Sequence, residues 1–202
     1  YLANLACIPI HILASRVASP ESADFLTVDF DVKLLDLASA IEIALTLRAL
    51  CEELGLASFP KTSGQTGLHV FVPLGPGVSP SAARQLADLL GRLLVEAHPR
   101  TATMERVVSK RGRKVYVDTG QTGPSRTIVA PYSVRATQGA RVSTPLEWSE
   151  VDASLDPAAF NLRTVPARLS RRGDPMAALL ASPPPMAEVL ARLQRRLATP
   201  RG

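Results

Sequence analysis

Asp29 and Asp31 interrupt an apolar run, "DFLTVDFDVK", at residues 24 to 33. Side chains alternate across a strand, so both carboxylates project to one side and Phe30 to the other. Two ionised carboxylates this close repel each other and resist desolvation. Two readings account for them. At a strand end both acids reach solvent. In a site they flank a hard cation, Mg2+ or Mn2+, which takes oxygen ligands and keeps waters and substrate phosphates. Asp118 ends another apolar stretch, "VYVD", before a glycine-containing loop. It reads as a turn residue or as a third ligand. Three aspartates at strand ends suit two-metal chemistry, in which one ion activates a hydroxyl and the other binds a triphosphate and its leaving group.

A second group is "KTSGQTGLHV", which places Lys61, Thr62, Ser63, Thr66 and His69 around two glycines. Backbone N–H groups of such a turn can form an anion nest, hydroxyls add donors, and His69 adds a ring N–H or a charge. The alternative is a hairpin turn with a half-buried histidine. It is not a Walker A loop, since the G-K-[ST] ending is missing and a strand follows. His11, in "IPIHILAS", sits in an apolar strand, where a lone histidine is ordinarily a core residue. "ERVVSKRGRK" gathers Arg106, Lys110, Arg111, Arg113 and Lys114, a solvated basic turn or a phosphate-backbone contact. Tyr132 and Trp148 can stack on bases, or pack in the core.

The elements that position these groups follow from periodicity. "LACIPIHIL" and "DFLTVDFDV" predict strands. Residues 34 to 55 predict a helix, with Leu37, Ile41, Leu45 and Leu56 near the helical period and Gly55 as a stop. A short extended piece and the turn Ser63 to Gly67 lead into a strand over Leu68 to Leu74. Ser79 and Pro80 supply an N-cap and first helical residue for a second helix. "KVYVD" and "RTIVAPYSVRA" predict further strands, the latter interrupted by Pro131. "ASPPPM" reads as a linker before a last helix, Met186 to Leu197. The expectation is an α/β (α+β) fold, a mixed and largely antiparallel sheet flanked by helices. Residues 1–180 would form the main domain and 181–202 the Pro-rich linker and terminal helix.

With 202 residues and 46% apolar side chains, a substantial core is expected and wholesale disorder is not. A net charge of +5 and a pI near 9.7 favour acidic partners such as nucleic acid or nucleotide. Cys7 and Cys51 lie in apolar settings and are expected to be buried free thiols. There is no CxxC pair, zinc spacing or spanning-length apolar run, and no signal peptide is recognisable. A soluble cytoplasmic protein with no membrane association is the default expectation. The chain starts at once on core-like sequence without Met, so it is expected to be the later part of a longer protein or domain.

Taken in order, "NLACIPIH", "DFLTVDFD", "KTSGQTGLHVFVPL", "TATMERVVSKRGRKVYVD" and "TIVAPYSVRATQGARVSTPLEWSEV" resemble the primase-like polymerase domain of bacterial DNA ligase D, within the archaeo-eukaryotic primase superfamily. The resemblance covers most of residues 4 to 175. It implies nucleotidyl transfer from nucleoside triphosphates to a DNA 3′ end during bacterial non-homologous end joining. It also implies a two-metal Mn2+ or Mg2+ site, and a cytoplasmic, nucleoid-associated setting. The implied partners are DNA ends or primer-template, with Ku and a separate ligase. By position, Asp29, Asp31 and Asp118 correspond to catalytic metal ligands. His11, Ser63, Thr66, His69, Gln121 and Arg135 fall at nucleotide-binding positions, and Arg106, Lys110, Arg111 and Arg113 at a DNA-binding segment.

The chain departs from the family pattern at Thr66, often Lys; at "DFDV", often D-L-D-P; at Thr137, often Arg; and in "TGQTGPSR" after Asp118. Family domains carry roughly a hundred further residues before the counterpart of Tyr1, within ordinary domain size. No K-x-D-G ligase motif is present. A catalytically impaired DNA- or partner-binding remnant is therefore the alternative expectation. A phosphohydrolase using the same metals is a third.

Overall fold

In the computed structural model, residues 1, 4–32, 37–181 and 183–198 are described. The predicted helix start at 34–36 and the last four residues lie outside them. Seven strands are seen there: β1 (His11–Leu13), β2 (Phe25–Asp31), β3 (Phe59–Thr62), β4 (Leu68–Pro73), β5 (Ala102–Thr103), β6 (Val115–Asp118) and β7 (Thr127–Val129). The helices are α1 (Leu37–Leu54), α2 (Pro80–Ala97), α3 (Val165–Arg172) and α4 (Met186–Ala198). Strands β3-β4-β2-β6-β5 form one sheet, and β1-β7 a separate antiparallel pair. Every pairing in the larger sheet is antiparallel except β5 with β6. The expected mixed, largely antiparallel sheet flanked by helices is the one observed.

The period-2 pattern of β2 decides the architecture. Leu26, Val28, Phe30 and Val32 enter one core with Leu68, Val70 and Val72 of β4 and the inner faces of α1 and α2. Phe25 faces the other way, stacked on Phe71 at 4.8 Å beneath Ile128 of β7. One sheet face is thus sealed by helices, and the other carries Asp29 and Asp31 beside a smaller apolar cluster. On α2, Ser79 accepts from the Ala82 N–H at 3.2 Å, as an N-cap should, and Pro80 opens the helix.

Four expectations change. The first predicted strand shortens to His11–Leu13, since Leu5, Ile8 and Ile10 are exposed and Pro9 has no N–H for a ladder. Cys7 is exposed, while Cys51 is buried in α1 with its thiol pushed up to about 12 by burial and then Glu52. Leu45 is 38% exposed; the buried face of α1 instead uses Ala40, Ile41, Ile43, Ala44, Leu47, Leu50, Cys51 and Leu54. The strand predicted over "RTIVAPYSVRA" stops at Val129, and Val134 returns as an isolated bridge to Val142. Beyond the Pro-rich stretch, α4 docks Val189 and Leu193 into the main core against α1.

Glu150 anchors α3. Its carboxylate accepts from Arg168 at 2.5 and 2.7 Å, from Arg172 at 3.2 Å and from the Glu147 N–H at 2.9 Å. Burial pushes its pKa up, but the Arg168 and Glu147 hydrogen bonds and the two guanidinium charges hold it below the ordinary value. A lowered folded pKa means stability present above the unfolded value of about 4.3 and lost as pH falls through the folded one. Glu150→Gln is therefore expected to unfold about 1–2 kcal/mol more easily at pH 7. Denaturant titrations from pH 7 to pH 3 should show that gap close on acidification.

Candidate active site

The ionisable residues of the open sheet face lie in one row across four strands. In register, Lys61 of β3 faces His69 of β4, His69 faces Asp29 of β2, and Asp29 faces Asp118 of β6. Asp31 lies one step further along β2, opposite Tyr116. The odd positions of β2 all point this way, so the pattern that buries Phe30 delivers both acids to the same pocket. That pocket, about 300 Å³, is walled by His11, Asp29, Asp31, the turn Ser63 to Gly67, His69, Gln121, β7 and Arg135. Such a volume is at the lower end of the roughly 300–1,000 Å³ usual for ligand sites.

The electrostatics are strained where the row crosses β2. Asp29 is pushed up to about 8, first by burial and then by Asp118 and Asp31; Lys61 and Arg135 only partly offset this. His69 Nε2 stands 3.4 Å from Asp29 Oδ1. The ring is held well below its ordinary pKa by burial and then by Lys61, Arg135 and His11, so His69 is a neutral N–H donor at pH 7, not an imidazolium. Lys61 has no exposed surface; burial pulls its ammonium down to about 7 against the raising effect of Asp29. His11 is lowered by burial, Arg135 and Lys61. Among the described residues, the Arg135 guanidinium has neither a salt-bridged carboxylate nor a hydrogen-bond partner, so its charge faces the pocket and acts on Asp29 only at a distance.

The glycine turn is built differently from a nest. Ser63 Oγ accepts from the Gln65 and Gly67 N–H groups, both at 3.1 Å, so these two donors are turned inward. Gly64 adopts φ +72, and a Cβ there would press on Arg135 Cγ and the Ser143 nitrogen. Arg141 clamps the turn through the Gln65 carbonyl at 3.0 Å. Ser63 and Thr66 line the pocket, but the turn offers it side chains more than a ring of amides.

Asp118 is not part of the pocket wall. Its carboxylate accepts from the Gly120 N–H at 2.7 Å and from Gln121 Nε2 at 3.0 Å. Among the described residues, no group of three or more His, Cys, Asp or Glu side chains is gathered as they stand for a metal ion. The donor chemistry nonetheless fits Mg2+ or Mn2+: Asp29 and Asp31 are hard oxygen donors on one face, and the burial and neighbouring carboxylates that raise Asp29 are what a bound cation would offset. Asp118 lies opposite Asp29 in register and is the charge that raises it most, so it stands beside them while its oxygens accept from its own loop.

Of the basic segment, Arg106, Lys110 and Arg113 are exposed. Arg111 folds back instead. It stacks on the Tyr116 ring at 3.6 Å, donates to the carbonyls of Glu105 and Arg106, and lies 3.6 Å from Asp31. Trp148 packs against the main core and donates to the Ser58 carbonyl, while half-buried Tyr132 donates its hydroxyl to Asp174. In the sequence Lys61 reads only as a turn residue, and nothing local marks Tyr116 or Ser143. Their contacts are non-local, and the one available signal was the odd-position spacing of Lys61 against His69.

With this geometry in hand, comparison with known proteins is specific. Residues 1–176 match the family model described as LigD, primase-polymerase domain. The chain is 30% identical over 200 residues to the bifunctional non-homologous end joining protein LigD of Bacillus subtilis strain 168, covering 97% of this chain and 33% of that protein. It is 35% identical to the multifunctional non-homologous end joining DNA repair protein LigD of Mycobacterium tuberculosis H37Rv, covering 96% of this chain and 27% of that protein. The chain thus spans between a quarter and a third of these relatives. Among solved structures, the polymerase domain from Mycobacterium tuberculosis ligase D in complex with DNA superposes with a TM-score of 0.80 at 34% identity. That match covers 91% of this chain and 67% of the other. No described helix is long and apolar enough to cross a membrane.

Proposed function

The chain belongs to the LigD primase-polymerase domain family, and on that premise we propose that it is a metal-dependent nucleotidyltransferase adding nucleotides from nucleoside triphosphates to a DNA 3′ end during end-joining repair. The observation that carries this reading is one pocket with two same-face aspartates on one side and, on the other, an arginine in no salt bridge and a neutral histidine donor. Acids and phosphate-binding donors together fit a triphosphate with its cations better than either alone.

In the reaction the DNA 3′ hydroxyl gives up its proton to solvent, its oxygen bonds to the α-phosphorus, the bond from that phosphorus to the β-bridging oxygen breaks, and pyrophosphate leaves. Asp29 and Asp31 would hold Mn2+ or Mg2+, with Asp118 as the third donor; bound there, the ions lower the pKa of the attacking hydroxyl and neutralise charge on the leaving group. Arg135 binds phosphate oxygens as a cation, and His69 donates its ring N–H to one of them. Ser63 and Thr66 offer hydroxyls from the turn, and His11 borders the same space. Arg106, Lys110 and Arg113 are exposed for sequence-independent contact with the DNA backbone.

The test is incubation of the purified chain with a recessed DNA end, a nucleoside triphosphate and Mn2+. A product one nucleotide longer with release of pyrophosphate is expected, abolished by a chelator. Release of inorganic phosphate without extension would identify a phosphohydrolase instead. A second reading, a DNA-binding relative without catalysis, is favoured by the engagement of Asp118 with Gly120 and Gln121. It predicts salt-sensitive DNA binding with no incorporation.

A further inference from the structure

Lys61 is fully buried, yet it belongs to no surface ion pair and none of the chemistry above uses it. Its ammonium makes two hydrogen bonds, to Ser143 Oγ at 2.5 Å and to His69 Nδ1 at 3.0 Å. The direction of the first is fixed by the next bond in the chain. Ser143 Oγ donates its single proton to the Thr62 carbonyl at 2.9 Å, so it can only accept from Lys61. The second is fixed in the ammonium form of Lys61, the form that prevails below about pH 7: an ammonium has three N–H groups and no lone pair, so Nδ1 must accept. A neutral imidazole has one ring proton, and with Nδ1 accepting, that proton sits on Nε2. Nε2 is the atom that faces Asp29 and the pocket.

The network is braced on both sides. Thr62 Oγ1 donates to the Val142 carbonyl at 3.1 Å and accepts from the Thr144 N–H at 2.9 Å, pinning β3 to residues 142–144. Lys61 Nζ also rests 5.5 Å from the centre of the Phe71 ring, which limits where the ammonium can go. Burying a cation in this way costs stability that an apolar residue would not. That cost has a purpose if the cation orients something.

We propose that Lys61 is a positioning residue: through the relay Lys61–His69, with Ser143 as anchor, it holds His69 in its Nε2–H tautomer and aims that N–H at a phosphate oxygen of the incoming nucleotide. The phosphate half of this inference rests on the function proposed above, while the tautomer half concerns the free protein. Lys61 itself touches no substrate in this arrangement.

The experiment has two arms. In the first, the ring nitrogens of the ¹⁵N-histidine-labelled chain are read by two-bond nitrogen–proton correlation at about pH 6, where Lys61 is an ammonium, with His11 and His98 assigned by their own substitutions. His69 is expected to show a bare Nδ1 and a protonated Nε2, with a nuclear Overhauser contact from the Lys61 ammonium protons to its ring. A protonated Nδ1, or no such contact, overturns the proposal whether or not the chain incorporates nucleotide. In the second, Lys61→Met, which keeps the packing over Phe71, is expected to mix the two tautomers. It should raise KM for the nucleoside triphosphate about tenfold, the scale of one charge-assisted hydrogen bond, with kcat changed less than about threefold. A folded Lys61→Met chain with unchanged tautomer and KM also overturns it. If Lys61→Met does not fold, the first arm decides alone. If the wild-type chain incorporates nothing, the functional reading fails while the tautomer result still stands or falls on its own.

Discussion

Replacing Asp29 with Asn is expected to stabilise the fold and abolish nucleotide transfer. The carboxyl titrates at about 8 in the folded protein, raised first by burial and then by Asp118 and Asp31. In the unfolded chain it titrates near 3.9. Between those values the folded state holds a proton that the unfolded state has released. The sign is therefore opposite to that of Glu150: the contribution to stability is fully present below about pH 4 and is lost as pH rises through 8. At pH 8 the penalty amounts to a few kcal/mol, taken at about 1.4 kcal/mol per pKa unit and discounted because the side chain keeps 20% of its exposure. Asparagine keeps the shape and removes the titration. Thermal unfolding at pH 8 should shift upward by about 5 °C or more, at roughly 2–4 °C per kcal/mol for a domain of this size. The gain should vanish toward pH 4. In the same variant, transfer should fall about 10³-fold or more, beyond the roughly 10²–10³ lost with one transition-state donor. An unchanged melting curve would refute the burial argument, and an unchanged rate the placement of the site. Stability given up at a reactive centre is a familiar exchange.

The second large effect is expected at Gly67. A methyl group there would overlap the carbonyl oxygen of Phe30 and lie 3.7 Å from the Asp31 Cα. The obstacle is backbone of the central strand, so no side-chain rotation relieves it. Strand β2 would have to move away from β4, disturbing the Asp29–His69 register and the placement of Asp31 together. Gly67→Ala is expected to cost about 3 kcal/mol or more and to reduce soluble yield. Gly112→Ala is the control. It has open space around its Cβ and pays only for φ +58, about 1 kcal/mol. Equal urea midpoints for the two variants would contradict the close approach of the turn to β2.

Much of this was legible in the sequence because it depends on local periodicity. The alternation in "DFLTVDFD" places Phe30 in the core and both acids opposite, and the Ser79-Pro80 pair starts α2 where expected. What was not legible depends on contacts far apart in the chain. Lys61 looks like a surface residue in a Ser/Gly-rich turn; only the arrival of Ser143, from a segment 82 positions away, buries it. Arg111 looks like one of several solvated cations until Tyr116 and Asp31 give it a platform. Cys7 sits among apolar neighbours as Cys51 does, but nothing described packs over it. The two-residue β5 is too short for any periodic signal and exists because β6 is there to pair with. The glycine turn had the right composition for an anion nest, but its serine took two of the amides.

Under the proposed function, Asp29 and Asp31 make this pocket a nucleotidyltransferase site. This is tested most directly by transfer of α-labelled nucleotide to a recessed DNA 3′ end in Mn2+, comparing the wild-type chain with Asp29→Ala/Asp31→Ala. A labelled product one nucleotide longer is expected from the wild type and none from a double variant that still folds. Equal labelling by both proteins would contradict it.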